Sequence, residues 1–504
     1  MKDCVINGSG LTIEDVVEVA RFNRRVVISE ESKKKILKSK EIVNRIVASG
    51  VPTYGISTGF GEFSKVTISK EQNAALQKNL ILSHACGVGD PFPEDVVRGI
   101  ILLRLNTLAS GYSGVTPEVT ERLADLLNHG ITPHVPRKGS LGSSGDLANL
   151  AHVSLVILGE GQAYYKGELI SGAEALKRAG LTPVELSGKD ALALTNGTQV
   201  MTSLGALAVY DAENLLTAAN MGAALTFEAF RGITAALDPR IHRVRPHQGQ
   251  SDCAAFIAKM LAGSSSVNTR EGDVQDPYTL RCVPQVHGAA ADAIAHVRKE
   301  IEIEMNSVTD NPLVFPETGE VISGGNFHGE PIAVNLDFLG IAISELANIS
   351  ERRTERLVNP QLSGGLPAFL IENGGVNSGY MIPQYTAACL VSENKVLAHP
   401  ASVDSITSSA NKEDHVSMGT TAARKLSVIV KNVRDVLAIE WMVAAQACDL
   451  RKVKTFGAGT AEMQKLIREN VAYVDTDRVF AGDIARLSDV LFERKNLERV
   501  TAKI

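Results

Sequence analysis

Pro331-Ile-Ala-Val-Asn-Leu-Asp-Phe-Leu-Gly-Ile-Ala-Ile-Ser-Glu-Leu-Ala-Asn-Ile-Ser-Glu351 is the stretch on which the fold class turns. Proline at its opening suits the first turn of a helix, where the missing N–H has no intrahelical acceptor to lose. Leu339, Ala342, Leu346 and Ile349 then recur at spacings of three and four, one face of a 3.6-residue period. Asp337, Glu345, Asn348 and Glu351 fall elsewhere around the cylinder. The pattern predicts a long amphipathic helix that must bury its apolar face against other helices.

Working outward, the same period dominates. Segments near 70–82, 95–110, 117–128, 146–158, 200–231, 285–307, 376–398, 421–450 and 459–470 read as further helices. Thr12-Ile-Glu-Asp15 has the pattern of a capping box ahead of another apolar-periodic stretch. Strand signals are confined to short runs near 25–28, 161–170 and 312–322. The fold class expected is mainly α: a long-helix bundle core over 201–504 and a smaller mixed N-terminal lobe over 1–200, forming one cooperative unit. Only 5% of residues are aromatic, so broad aliphatic helix faces need covering, which points to a homo-oligomer.

The chain has 504 residues and a formal charge of −6. That balance argues against nucleic acid or an anionic membrane as partner. The six cysteines (Cys4, Cys86, Cys253, Cys282, Cys389 and Cys448) form no Cys-x-x-Cys pair and read as free thiols of a reducing compartment. The N-terminus carries no secretory or organelle pattern, so a cytoplasmic location is expected. The most apolar long stretch, Val200 to Leu225, contains Asp211, Glu213, Asn214 and Asn220 and reads as a buried helix rather than a membrane span.

No P-loop, His-Glu-x-x-His or spaced Cys/His cluster is present, and His242 with His247 reads as structural, so no metal is expected. The most unusual segment is Gly139-Ser-Leu-Gly-Ser-Ser-Gly-Asp146, followed by Leu-Ala-Asn-Leu-Ala-His152. Locally it has three readings. It could end a loop at a helix N-cap, with Ser144 or Asp146 satisfying free N–H groups. Its glycine amides could cradle an anion at a helix N-terminus. It could hold an amidase-like nucleophilic serine, for which Lys138 is the only nearby lysine.

The segment also resembles the signature of the aromatic amino-acid ammonia-lyase and aminomutase family. There an Ala-Ser-Gly tripeptide cyclises to 4-methylidene-imidazole-5-one, the glycine nitrogen attacking the carbonyl two residues back with loss of two waters. The resemblance extends from about residue 50 to 450 in six ordered segments. They are Tyr54-Gly-Ile-Ser-Thr-Gly-Phe-Gly61, Leu82-Ser-His-Ala-Cys-Gly-Val-Gly89, Ala193-Leu-Thr-Asn-Gly-Thr-Gln199, Gln275-Asp-Pro-Tyr-Thr-Leu-Arg-Cys282, Ser323-Gly-Gly-Asn-Phe-His-Gly-Glu330 and Ser409-Ala-Asn-Lys-Glu-Asp-His-Val-Ser-Met418. Ser83-His84 resembles the pair of the histidine and tyrosine enzymes and differs from the Phe-Leu typical of phenylalanine enzymes, while Glu413, Asn377-Ser-Gly-Tyr-Met381 and His399-Pro-Ala-Ser-Val-Asp404 resemble the histidine branch. Three positions depart from the family pattern. The triplet is Ser143-Ser144-Gly145, Asn149 stands where a proline is common, and Lys412 stands in place of glutamine.

The resemblance implies a fumarase/aspartase-like architecture and a homotetramer whose sites combine residues of several chains. It implies deamination of L-histidine to trans-urocanate without an external cofactor, the electrophile arising from Ser143, Ser144 and Gly145. By position, Tyr54 would be the base for a β-proton, which requires a phenol tuned downward. Arg281 would bind the substrate carboxylate through its forked donors, supported by Tyr278 and Gln275. Asn196 would hydrogen-bond the carbonyl of the electrophile, Phe327 would exclude water, and Glu413 and His84 would recognise the imidazole. Plainer roles stand beside these: a turn-packing Tyr54, an ion-paired Arg281, a merely solvated His84, a core Phe327, and Cys86 and Cys282 as packing. Rival activities are a tyrosine ammonia-lyase or aminomutase, and an amidase-like serine hydrolase. The serine-rich loop 405–411 also suits lyases of the fumarase type, which form no backbone-derived ring.

Overall fold

A computed structural model describes residues 2–59 and 61–504. Thr12 caps the helix Ile13–Phe22 in the way its sequence predicts. Its hydroxyl accepts the Asp15 N–H, and the Asp15 carboxylate accepts the Thr12 N–H in return. The long apolar-periodic stretch is the helix Glu330–Val358, with Leu339, Leu346 and Ile349 buried. Two other helices are longer, Gln199–Phe230 with 32 residues and Gly419–Arg451 with 33. The expected mainly helical architecture is what the chain adopts.

The chain folds as two compact units. The first comprises residues 1–210, 298–337 and 400–424; the second comprises 211–297, 338–399 and 425–504. All the strands belong to the first. Cys4–Ile6 pairs parallel with Val26–Ile28, and Val88–Pro91 pairs antiparallel with Pro136–Lys138. Ile131–Pro133, Gln162–Tyr165 and Glu168–Ser171 form an antiparallel sheet, and Leu313–Phe315 with Glu320–Ile322 a hairpin.

At the centre of the first unit lies the helix Glu94–Ala109, buried on every side from Val96 onward. An all-round apolar helix is stable there only if its polar residues find partners. Arg98 donates to the Val19 and Leu127 carbonyls, and Asn106 donates to the Met305 carbonyl and accepts from the Gly8 N–H. The second unit is helical throughout and carries its own buried charge. Arg353 and Glu440 form an ion pair in which both side chains are 0% exposed.

Two expectations shift. The segment predicted as helix from 376 begins at Met381, because Asp477 accepts the Ser378 and Gly379 N–H groups and holds 377–380 as a turn. The helix nearest in length and hydropathy to a membrane span is Glu330–Val358 and not 200–225. Of its most apolar window 61% is buried inside the protein, the behaviour of a core helix.

Candidate active site

The glycine-rich segment folds back on itself ahead of the helix Leu147–Ile157. Gly142 and Gly145 form an antiparallel bridge, and Gly145 bridges in parallel to Gly197. Ser144 is held at φ +49° and Gly145 at +79°. Left-handed backbone is unfavourable for a serine, by about 1–2 kcal/mol, so the surroundings must enforce the turn.

They do so largely through Asp146. Its N–H donates to the Gly197 carbonyl at 2.7 Å. Its carboxylate does not cap its own helix, as the local sequence suggested. It accepts the Val200 and Met201 N–H groups at 2.8 and 3.1 Å, at the start of the helix Gln199–Phe230. Ser140 and Thr420 donate to its other oxygen. Burial pushes this carboxyl up to about 6, against the pull of those hydrogen bonds.

Ser144 faces a cavity of about 1020 Å³ that also receives Tyr54, Ser83, His84, Asn196, Phe327 and Glu413. Leu76, Leu80, Leu147 and Leu192 make its apolar wall. The structure thus gathers six of the expected site residues around one cavity. Phe60 of the tyrosine-loop motif lies outside the described residues. Ser144 Oγ donates to Glu413 Oε1 at 3.0 Å. A serine whose hydroxyl donates to a carboxylate does not match the lysine-activated amidase arrangement.

Asn196 is buried. Its Nδ2 donates to the Asn311 carbonyl at 3.0 Å, its own carbonyl accepts from Arg104 at 2.8 Å, and its Oδ1 is an orphan inside the protein. Burial lowers the His84 imidazole, leaving it largely neutral near neutral pH, while Leu80 and Glu413 pull the other way. Burial pushes the Tyr54 phenol upward, a hydrogen bond to the Gly61 backbone works downward, and the Glu413 carboxylate adds to the rise. These surroundings act opposite to the tuning a base requires, because burial and the negative charge of Glu413 both raise the phenol.

A family model for aromatic amino acid lyases matches residues 11–469. The chain is 71% identical over 500 residues to the histidine ammonia-lyase of Treponema denticola, with 99% of each covered. The chain belongs to the aromatic amino acid lyase family. It is a carbon–nitrogen lyase. The histidine ammonia-lyase of Alkaliphilus metalliredigens is 56% identical over 502 residues, again with 99% of each covered. The solved histidine ammonia-lyase of Trypanosoma cruzi has a TM-score of 0.93 at 39% identity, over 99% of this chain and 95% of that one. A tyrosine aminomutase of Streptomyces globisporus has a TM-score of 0.95 at 38% identity, over 100% and 99%.

In this lyase Gln275, Tyr278 and Arg281 belong to the second unit. There they line a pocket with Phe230, Arg270 and Arg356. Arg281 lies over the Tyr278 ring at 4.6 Å, and Tyr278 is 69% exposed. Three residues that shape the cavity went unread in the sequence. Arg104 and Asn311 hold Asn196, and Ser408 donates to Glu413 Oε2 at 3.1 Å. Ser408 sits in the serine-rich loop that sequence comparison had set beside a different lyase type. The other two lie far in sequence from what they hold and carry no local signal. Next to Phe327, His328 stacks on His415. Its Nδ1 accepts the Glu330 N–H, so in the neutral ring Nε2 bears the hydrogen directed at His415.

Proposed function

We propose that this lyase removes ammonia from L-histidine to give trans-urocanate, with an electrophile made from Ser143, Ser144 and Gly145. The observation that carries the reading is the placing of Glu413 and His84 in one cavity with Ser144. A carboxylate and a neutral imidazole suit a substrate ring that both donates and accepts hydrogen bonds. A phenyl ring has no use for that pair, and a phenol, which could bond the imidazole, has no need of the carboxylate.

The residues present fit 4-methylidene-imidazole-5-one. The left-handed turn at Ser144 and Gly145 folds the main chain tightly, and Gly145 has no room for a side chain. When formed, the group supplies an electron sink that lets the carbon–nitrogen bond break despite a weakly acidic β-hydrogen. Asn196 would polarise it with the second hydrogen of Nδ2, the first being given to the Asn311 carbonyl. Phe327 and the leucine wall exclude water. Tyr54 takes the β-proton, and its raised phenol needs a cation to bring it into range. The substrate's own ammonium group brings one. Arg281, with Tyr278 and Gln275, binds the carboxylate from a neighbouring copy in a homotetramer. A cytoplasmic location accords with the six free cysteines.

The test is direct. Purified protein given L-histidine should produce the near-ultraviolet absorbance of urocanate, and the peptide over 139–152 should be lighter by two waters. Production of p-coumarate from tyrosine with none of urocanate from histidine would overturn the substrate assignment. An unmodified peptide in active protein would overturn the electrophile.

A further inference from the structure

We propose that Ser408 and Ser143 are positioning residues for Glu413, a hydroxyl relay that fixes the carboxylate while maturation of the tripeptide frees one of its oxygens for substrate. This rests on the reading of Glu413 as the partner of the imidazole.

The two oxygens of Glu413 are divided between two serines. Oε1 accepts from Ser144 Oγ at 3.0 Å and Oε2 from Ser408 Oγ at 3.1 Å. Ser143 Oγ lies 3.3 Å from Ser408 Oγ. Direction follows from proton count. A hydroxyl has one hydrogen, and that of Ser408 goes to the carboxylate, so Ser143 is the donor in the serine pair. The relay runs from Ser143 through Ser408 to Glu413.

Ring closure changes one end of it. The Gly145 nitrogen bonds to the Ser143 carbonyl carbon, whose oxygen leaves as one water. Ser144 then loses Oγ together with its Cα hydrogen as the second. The donor to Oε1 is thereby removed from the cavity, while Ser408 still holds Oε2 and the Ser143 side chain survives. Glu413 is left with one anchored oxygen and one free oxygen facing residue 144. An alanine at 143 could not feed the relay, which gives the departure from the family tripeptide a physical use.

The loop is built to hold this geometry. Ser408 and Glu413 exchange backbone hydrogen bonds at 2.9 and 3.4 Å. Between them Ser409, Ala410 and Asn411 all take left-handed backbone, at φ +51°, +52° and +69°. Thr407 ties the turn through a 2.7 Å hydrogen bond to Asn411. Left-handed alanine is unfavourable and persists only where neighbours over-determine it.

The experiment compares Ser408→Ala, Ser408→Thr, Ser143→Ala and Glu413→Gln with wild type. Each is read by the mass of the 139–152 peptide and by KM and kcat for L-histidine. Ser408→Ala should mature fully and raise KM about tenfold or more, the effect of one hydrogen bond to a charged group, with a smaller change in kcat. Ser408→Thr, which keeps the hydroxyl, should restore KM, and Ser143→Ala should raise it less and in the same direction. An unchanged KM in Ser408→Ala, no rescue by threonine, or loss of the two-water deficit in Ser408→Ala would each overturn the relay. If Glu413→Gln raises KM and Ser408→Ala does not, the relay alone fails. If Glu413→Gln leaves KM unchanged, the imidazole reading fails and takes the relay with it.

Discussion

Gly145 approaches Gly197 so closely that a Cβ on residue 145 would lie 2.1 Å from the Gly197 carbonyl oxygen. Backbone cannot give way as a flexible side chain can, and φ +79° adds a second penalty for any L-residue. Gly145→Ala should therefore open the turn. The 139–152 peptide of that variant is expected at its unmodified mass, and ammonia release from histidine below detection. Full loss of two waters in Gly145→Ala would mean that this contact does not shape the reacting turn.

Asp146 links the turn to the helix Gln199–Phe230, and it should leave a signature in stability. Its ordinary value is 3.8 and burial raises it to about 6 in the folded chain. Between those values the folded state keeps a proton that the unfolded chain has released. The contribution is present below the lower value and is lost as pH rises through the upper one. Asp146→Asn keeps an acceptor for Val200 and Met201 but does not titrate. The melting temperature of wild type relative to this variant should fall from about pH 4 to 6 and then level off. Two melting curves that run parallel across that range would contradict it.

What could be read from the sequence divides along a physical line. Glu330–Val358 was legible because its apolar residues recur at the helical period. Glu30–Ser49 was not, because it buries only Ile36, Ile42 and Val43 among apolar residues while Ser32, Ser39 and Lys40 share that face. The C-terminal helices Ala481–Phe492 and Arg494–Thr501 escaped for a different reason: at 12 and 8 residues they have too few turns for an apolar period to show. In the site, Tyr54, His84, Asn196, Phe327 and Glu413 stood out through their motifs. Arg104 acts through Asn196, 92 positions away, and Ser408 joins Glu413, five positions on, to Ser143, 265 positions away; no local pattern records such pairings. The upward push on Tyr54 was likewise invisible, since it comes from burial and from Glu413.

The second unit contains its own point of fragility. Arg353 Nη2 donates to Glu440 Oε2 at 2.8 Å, Thr226 donates to Oε1 at 3.0 Å, and neither charged side chain reaches solvent. Removing one partner strands the other charge in a low-dielectric interior, which costs about 3–5 kcal/mol. Glu440→Leu and Arg353→Met should each lower the denaturation midpoint accordingly. The double variant should recover most of the loss, because no unpaired charge remains. Additive losses in the double variant would show that the pair contributes through separate contacts and not as a unit.

Tyr54 and Arg281 line different cavities of one chain, although the reaction asks one to take a proton and the other to hold the carboxylate of the same substrate. If both acted within a single chain, mixing Tyr54→Phe protein with Arg281→Ala protein could not help. Every site would carry one defect or the other. If a site draws Tyr54 from one copy and Arg281 from another, a mixed oligomer contains some sites with both residues intact and some with neither. Each variant alone should be almost inactive on histidine while retaining the two-water mass deficit. Co-expression of the two should restore urocanate formation well above the sum of the separate activities. No gain on co-expression, in oligomers shown by mass to contain both chains, would rule out a site shared between copies.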